Sequence, residues 1–133
     1  MKILLDTHCW LWWMTTPEKL APASQQLIMD GYNDIFLSAV SSWEIAIEYA
    51  LDKLPLPENP EKFIPPRLKR DAIRPLPITH THALHVASLP LHHRDPFDRL
   101  LISQAQIEGL PVMTVDKQFK EYDVECIWGG TGP

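Results

Sequence analysis

The stretch HHRDPFDRLLISQAQ (residues 92–106) sets two aspartates around a Pro-Phe pair at the start of an apolar, helix-forming run. Asp95 suits the N-cap of that helix, Pro96 its first helical position and Asp98 its first turn. Both carboxylates would then accept hydrogen bonds from free backbone N–H groups and interact favourably with the helix dipole. Capping alone therefore explains the pair, unless other acidic residues of the chain lie near it.

Outward from this helix, short apolar runs that predict strands alternate with amphipathic runs that predict helices. The predicted elements are strands at 2–6, 34–39, 110–116 and 124–128, and further helices at 22–30, 42–53 and 79–88. This alternation predicts a three-layer α/β fold on a mainly parallel sheet. Proline clusters at 54–60 and 65–66 predict that any helices in the middle of the chain are short or kinked.

Length and composition predict one globular domain with no membrane role. We expect residues 1–128 to form the domain and the tail GGTGP (129–133) to be disordered. The net charge of −5 argues against a protein that coats nucleic acid non-specifically. Only two cysteines are present, and both suit buried thiols in a reducing cytoplasm. No apolar run is long enough to cross a membrane.

Four acidic residues are predicted to meet at one edge of the sheet, because the catalytic crevice of an open parallel sheet lies outside the carboxyl ends of its strands. Asp6 and Asp116 end predicted strands, whereas Glu44 and Asp98 lie near the starts of helices. Each has a capping alternative, and for Glu44 this is a capping box with Ser41 as the N-cap. Four acidic caps at the same edge would be an unusual coincidence, which favours a shared site.

Carboxylates packed together destabilise a fold unless a cation neutralises them. Oxygen ligands of this kind select Mg²⁺ or Mn²⁺, and such a site performs phosphoryl chemistry. On this interpretation Asp95 is the cap and Asp98 the metal ligand. The hydroxyls of Thr7 and Thr114 either orient a carboxylate or a metal-bound water, or serve only as caps.

The chain resembles the PIN-domain endoribonucleases of the VapC type, the toxin half of bacterial toxin–antitoxin pairs. Besides the opening stretch, the matching segments, in family order, are LLDTHCWLWW (4–13), LSAVSSWEIAIEYALDKL (37–54) and TVDKQF (114–119). The resemblance implies an acidic quartet around Mg²⁺, with Asp6 and Asp98 nearest the ion and Glu44 and Asp116 supporting them. It also implies a homodimer, inhibited by a small antitoxin whose C-terminal segment lies across the active-site groove.

Two residues depart from the pattern of that family. The helix after Glu44 usually carries a lysine where this chain has Glu48, and often a glycine where it has Asp52. Glu48 lies one turn after Glu44, so it either adds negative field to the site or points to solvent. The departure questions any RNA contact that the usual lysine would make, but not the acidic quartet.

Basic and aromatic residues offer possible RNA contacts, each with a structural alternative. Five basic residues fit either a solvated face or a phosphate-contacting rim: Lys62, Arg67, Lys69, Arg70 and Arg74. Arg94 and Arg99 flank the acidic site and suit contacts to the scissile phosphate or to a partner, and His92-His93 suits a phosphate contact. Trp10, Trp12 and Trp13 suit base stacking, but packing is favoured for aromatics at helical spacing.

The predicted function is metal-dependent cleavage of single-stranded RNA in the cytoplasm. The alternative is a catalytically silent binding module of the same fold, which acts only through its partner. An intact acidic quartet favours the enzyme, since a silent module gains nothing from mutually repulsive carboxylates.

Overall fold

The computed structural model describes residues 1–132, and Pro133 lies outside the described residues. The strands are β1 (Lys2–Leu5), β2 (Asp34–Ser38), β3 (Arg74–Leu76), β4 (Val112–Thr114) and β5 (Cys126–Trp128). The helices are α1 (Thr7–Thr15), α2 (Pro22–Met29), α3 (Ala39–Ala50), α4 (Pro60–Arg70), α5 (His80–His85) and α6 (Pro96–Glu108). Among the described residues, no helix combines the length and the apolar character that crossing a membrane requires.

The five strands form one parallel sheet in the order β3-β2-β1-β4-β5. Successive residues of a parallel strand point to opposite sides, so both faces of the sheet carry apolar side chains, and helices cover both faces. Ile3 of β1 packs in one core cluster with Trp10 of α1 and Phe63 of α4, whereas Leu4 packs in a second cluster with Leu101 of α6. The predicted three-layer α/β fold on a parallel sheet is confirmed.

The three tryptophans of α1 serve packing. Trp10 is fully buried and meets the ring of Phe63 edge-on, with the centroids 6.0 Å apart. Trp12 and Trp13 are partly buried against the same core. The indole N–H of Trp13 also donates to Asp71, at 3.2 Å. The prediction of packing is therefore confirmed, and the base-stacking platform receives no support from these contacts.

In the middle of the chain, one of the two predicted outcomes for a helix, that it is short, is wrong. Helix α4 is not short: it runs eleven residues and includes both Pro65 and Pro66. Its stability comes from its cap at Asn59 and from burial of Phe63 and Ile64, because packing outweighs poor local propensity. Strand β3 is absent from the prediction because it has only three residues, one of them a proline, which an edge strand tolerates.

The tail that was predicted to be disordered begins inside the fold. Gly129 donates its N–H to the carbonyl of Thr114 at 2.9 Å and accepts from the N–H of Ala21 at 2.8 Å. A Cβ atom at Gly129 would lie 2.8 Å from Sγ of Cys9, so the chain passes too close for any other residue. The prediction of disorder is wrong for residues 129–130, and at Pro133 it lies outside the described residues.

Candidate active site

Asp6 is held by hydrogen bonds directly after β1. Its Oδ1 accepts from the backbone N–H of Cys9 at 2.7 Å, which makes Asp6 the N-cap of α1. Its Oδ2 accepts from the hydroxyl of Thr114 at 2.6 Å. Each carboxylate oxygen has more than one lone pair, so a capping carboxylate still has acceptor capacity for a ligand. Capping and a site role are therefore compatible at Asp6, and the cap fixes its orientation.

Thr114 links two of the predicted site residues. Its hydroxyl donates to Asp6 and accepts the backbone N–H of Asp116 at 3.0 Å. Asp116 in turn caps the 3-10 turn at Lys117–Glu121, by accepting from the N–H of Gln118 at 2.9 Å. Neither aspartate ends its strand as predicted, since β1 ends at Leu5 and β4 at Thr114, but both lie just beyond the carboxyl ends.

Glu44 is not a capping residue. Helix α3 begins at Ala39, and its N-cap is Ser38, whose hydroxyl accepts from the N–H of Val40. The predicted capping box of Ser41 and Glu44 is therefore wrong, because both residues lie inside the helix. Ser41 instead accepts a hydrogen bond from the hydroxyl of Thr7 at 2.8 Å, which joins α1 to α3.

The side chain of Glu44 is buried, and its Oε1 has no hydrogen-bond partner among the described residues. Burial raises the pKa of Glu44, and the charges of Asp95 and Glu48 raise it further. The departure from the family pattern at Glu48 thus adds negative field to the site. Asp52, where the family often has glycine, has a φ of 58°, a left-handed conformation that aspartate tolerates.

Asp95 and Asp98 have separate roles. Oδ1 of Asp95 accepts from the N–H groups of Phe97 at 2.8 Å and Asp98 at 3.1 Å, as predicted for the N-cap of α6. The carboxylate of Asp98 instead has its Oδ2 2.9 Å from Nε2 of His93. Asp98 therefore does not cap the helix on which it lies, and capping does not account for it.

The electrostatic field at Asp98 shows that the acidic residues lie together. The pKa of Asp98 is raised from its ordinary value of 3.8 to about 8, first by burial and then by four neighbouring carboxylates. In decreasing order of effect these are Asp95, Glu44, Asp6 and Asp116. Three of the quartet line one open cleft of about 410 Å³, which is formed by Asp6, His8, Asp98, Val115, Asp116 and Lys117.

His93 is the site residue whose position the sequence did not reveal. Its Nε2 lies 2.9 Å from Oδ2 of Asp98 and 3.0 Å from Oδ2 of Asp116, so it joins the two carboxylates. From the sequence, His92-His93 suited only a phosphate contact. The one available signal was the position of His93 two residues before the DPFD segment, and that signal does not show where the ring points.

The side chain of Arg99 binds the loop before α6 and is not among the residues that line the cleft. Its guanidinium donates to main-chain carbonyls of the loop before α6 and to the hydroxyl of Tyr122, at 2.9 to 3.4 Å. These bonds occupy both terminal nitrogens. The expected contact with the scissile phosphate or a partner stays a prediction, and it would have to compete with these bonds. Arg99 holds the loop that carries His93.

The basic segment also lies away from the acidic cleft. Arg74 pairs with Asp34, the first residue of β2, at 3.2 Å, which places it at the amino edge of the sheet. Arg70 pairs with Asp71, which also accepts from Trp13 near the end of α1. The position of Arg70 and Arg74 at the edge opposite the quartet favours the solvated face of the two alternatives, and the phosphate-contacting rim stays a prediction.

The arrangement fits a hard divalent cation. The donors are carboxylate oxygens, one of them the unpartnered Oε1 of Glu44, and the raised pKa of Asp98 reports a site where negative charge lacks compensation. A cation of this kind would remove the repulsion among the carboxylates, and oxygen ligands favour Mg²⁺ or Mn²⁺ over zinc.

The sheet, its two helical layers and the acidic cleft define an α/β domain whose chemistry lies at the carboxyl edge of the strands. The PIN domain family matches residues 3–125, and the chain belongs to that family.

Named relatives agree with this assignment. The chain is 26% identical to ribonuclease VapC22 of Mycobacterium tuberculosis over 121 residues, which cover 90% of this chain and 91% of that protein. It is 44% identical to ribonuclease VapC16 of the same organism over 62 residues, which span 47% of this chain and only 44% of that protein. Crystalline VapBC2 of Rickettsia felis, bound to a DNA fragment from its promoter, shares the fold with a TM-score of 0.73 at 16% identity, over 97% of this chain and 99% of that chain.

The raised pKa of Asp98 predicts how the stability of the metal-free protein depends on pH. Because the folded-state pKa is above the unfolded value, the folded protein retains a proton that the unfolded protein releases between about pH 4 and pH 8. Stability is thus fully present below this window and falls as pH rises through it. We expect the melting temperature to fall between pH 5 and pH 9, and Asp98→Asn to reduce that fall.

Asp123→Asn is the matched control, since it removes the same charge from an exposed carboxylate. It should keep the pH dependence of the parent protein. Identical melting profiles for the parent and Asp98→Asn would show that Asp98 ionises normally in the folded state.

Proposed function

We propose that this chain is a metal-dependent endoribonuclease that cleaves single-stranded RNA, and that it is the toxin component of a toxin–antitoxin pair. The relatives named ribonuclease VapC and the structural neighbours in VapBC complexes support this proposal. The observation that carries it is the convergence of Asp6, Asp98 and Asp116 on one cleft, where burial and the neighbouring acids raise the pKa of Asp98 to about 8. Carboxylates whose ionisation is opposed in this way are typical of functional sites.

The proposed cofactor is Mg²⁺, with Mn²⁺ as a substitute. Asp6 and Asp98 would hold the ion directly, and Glu44 and Asp116 would support them. When bound, the ion polarises a water molecule and neutralises charge on the phosphate and the leaving oxygen. Thr114 keeps the carboxylate of Asp6 and the backbone at Asp116 in register, since its hydroxyl bonds to both.

The proposed partner is a cognate antitoxin that fills the acidic cleft, with the chain itself forming a homodimer. Carboxylates grouped in this way attract a guanidinium, so we expect the inhibiting segment to place an arginine near the quartet. The two cysteines are free thiols, which favours a reducing compartment such as the cytoplasm.

The alternative function, a catalytically silent binding module, accounts less well for the site. Ionisation of Asp98 destabilises the metal-free fold, and Glu44 is buried with an unpartnered oxygen. A module that acts only through its partner gains nothing from either feature, so we favour the enzyme.

Cleavage assays on two neighbouring aspartates test the proposal. Asp98→Asn should reduce the rate of RNA cleavage by orders of magnitude and weaken Mn²⁺ binding, because it removes a charged ligand. Asp95→Asn should retain cleavage and Mn²⁺ binding, since asparagine accepts the same two capping N–H bonds and the site loses the field of Asp95 but no ligand. Gel-resolved cleavage and Mn²⁺ titration of both variants provide the measurement.

Two results would count against the assignment. Retained cleavage in Asp98→Asn would remove this residue from the metal site and with it the proposed mechanism. Equal inactivation by both variants would place Asp95 in the site as well.

We expect RNA binding to depend on the basic side chain of Lys117 at the cleft rather than on the basic segment. Lys117 is exposed and lines the cleft, whereas Arg70 lies towards the opposite edge and pairs with Asp71. Lys117→Glu should weaken RNA binding and reduce the slope of log affinity against log salt by roughly one contact, about 0.7 for a single strand. Arg70→Glu is the control and should leave that slope unchanged. The reverse pattern would return RNA guidance to the basic segment.

A further inference from the structure

His93 is the one histidine among the described residues that touches two members of the quartet. A single nitrogen, Nε2, lies 2.9 Å from Asp98 and 3.0 Å from Asp116, on carboxylate oxygens that would otherwise repel each other. The side chain is largely buried, with 13% of its surface exposed, so water competes little for these hydrogen bonds. Such a contact is open to two interpretations: His93 is a third metal ligand, or it is a donor that orients the carboxylates.

The second ring nitrogen decides between them. Nδ1 of His93 accepts the backbone N–H of Asp95 at 3.3 Å, so this nitrogen carries no proton. In a neutral imidazole the other nitrogen, Nε2, then carries the hydrogen, and it donates towards both carboxylates. A metal ligand at Nε2 would need the opposite tautomer, which would set Nδ1–H against the N–H of Asp95.

The loop that carries His93 is fixed independently of the acidic residues. The hydroxyl of Tyr122 accepts the backbone N–H of His92 at 3.1 Å and that of His93 at 2.7 Å. Arg99 donates to the same hydroxyl at 3.2 Å and to the carbonyl of Pro90 at 2.9 Å. His93 also meets the buried ring of Phe119 edge-on, with the centroids 6.5 Å apart. The imidazole is therefore held in place from its backbone and from its face.

We propose that His93 is a positioning residue of the acidic site, which donates from Nε2 to Asp98 and Asp116 and keeps their carboxylates convergent for the cation without ligating it. This inference rests on the proposed metal-dependent function. Donors that orient ligating groups change metal affinity by about 10- to 100-fold when they are removed. His93 thus acts on the metal through the two aspartates.

Mn²⁺ binding to a set of matched variants tests this inference, with the free ion measured by electron paramagnetic resonance. His93→Leu keeps the bulk of the side chain but removes the donor, and it should weaken binding about tenfold or more. His93→Gln retains an N–H donor at similar reach and should recover most of that loss. His92→Leu is the control, because His92 is exposed and packs on Tyr122 at 5.2 Å, and it should bind like the parent protein.

Pulsed resonance on the Mn²⁺-loaded parent protein separates the donor from a ligand. We expect no coupling from a directly bound imidazole nitrogen, and such a coupling, lost in His93→Gln, would overturn the proposal. Unchanged or tighter Mn²⁺ binding in His93→Leu would also overturn it. Should His93→Leu fail to fold, the affinity of His93→Gln and the pulsed spectrum of the parent protein still decide.

Asp98→Asn, measured alongside, tells the two possible failures apart. If it abolishes Mn²⁺ binding while His93→Leu leaves binding intact, the metal site stands and only the role of His93 is refuted. If the parent protein holds no Mn²⁺ that depends on Asp98, the proposed function is refuted and this inference with it.

Discussion

The structure of the site depends on one interaction, the repulsion among carboxylates at the carboxyl edge of the sheet. Asp6 and Asp116 are each satisfied by backbone N–H groups, and Asp6 also by a hydroxyl. Asp98 and Glu44 receive less, and both have a raised pKa. The fold thus concentrates its uncompensated charge on two side chains, which is what a cation site requires.

The order of the strands brings the acidic residues together. Strands β1 and β4 are neighbours, with Leu4 opposite Val112 and Leu5 opposite Met113, so the residues that follow them emerge side by side. The bond from Thr114 to Asp6 closes that pair across the sheet. The helices that carry Glu44 and Asp98 are joined through a buried bond from Ser38 to Gln104, at 2.5 Å between the oxygens. A shift in sheet register would therefore separate the quartet.

Much of the fold and part of the site could be predicted from local sequence patterns. Alternating apolar runs gave the parallel sheet, and Asp95 followed by proline gave the start of α6. The N-cap of α3 was predicted at Ser41, but the helix begins after Ser38, because the strand ends there, and Ser41 lies inside the helix. Strand β3 needed a neighbour to define it, since three residues with a proline have no strand pattern of their own.

Contacts between distant segments could not be predicted, because a local sequence pattern does not identify the partner of a side chain. His93 meets Asp116, 23 residues away, and Arg99 meets Tyr122, also 23 residues away. Both contacts depend on how the loop before α6 closes over the 3-10 turn after β4. At Arg99, a positive charge beside an acidic motif suggested a phosphate contact. In the fold, its guanidinium instead donates to carbonyls of a tight loop that need hydrogen-bond donors.

The most direct test of this account is the number of protons released when Mg²⁺ binds. Asp98, with a pKa of about 8 in the metal-free protein, is mostly protonated at neutral pH, whereas a bound cation requires its ionised form. Calorimetric titration in buffers of different ionisation enthalpy gives that number. We expect release of close to one proton at about pH 7 and far less at about pH 9. Tight binding at pH 7 without proton release would contradict it, because the ion would then lie where Asp98 takes no part.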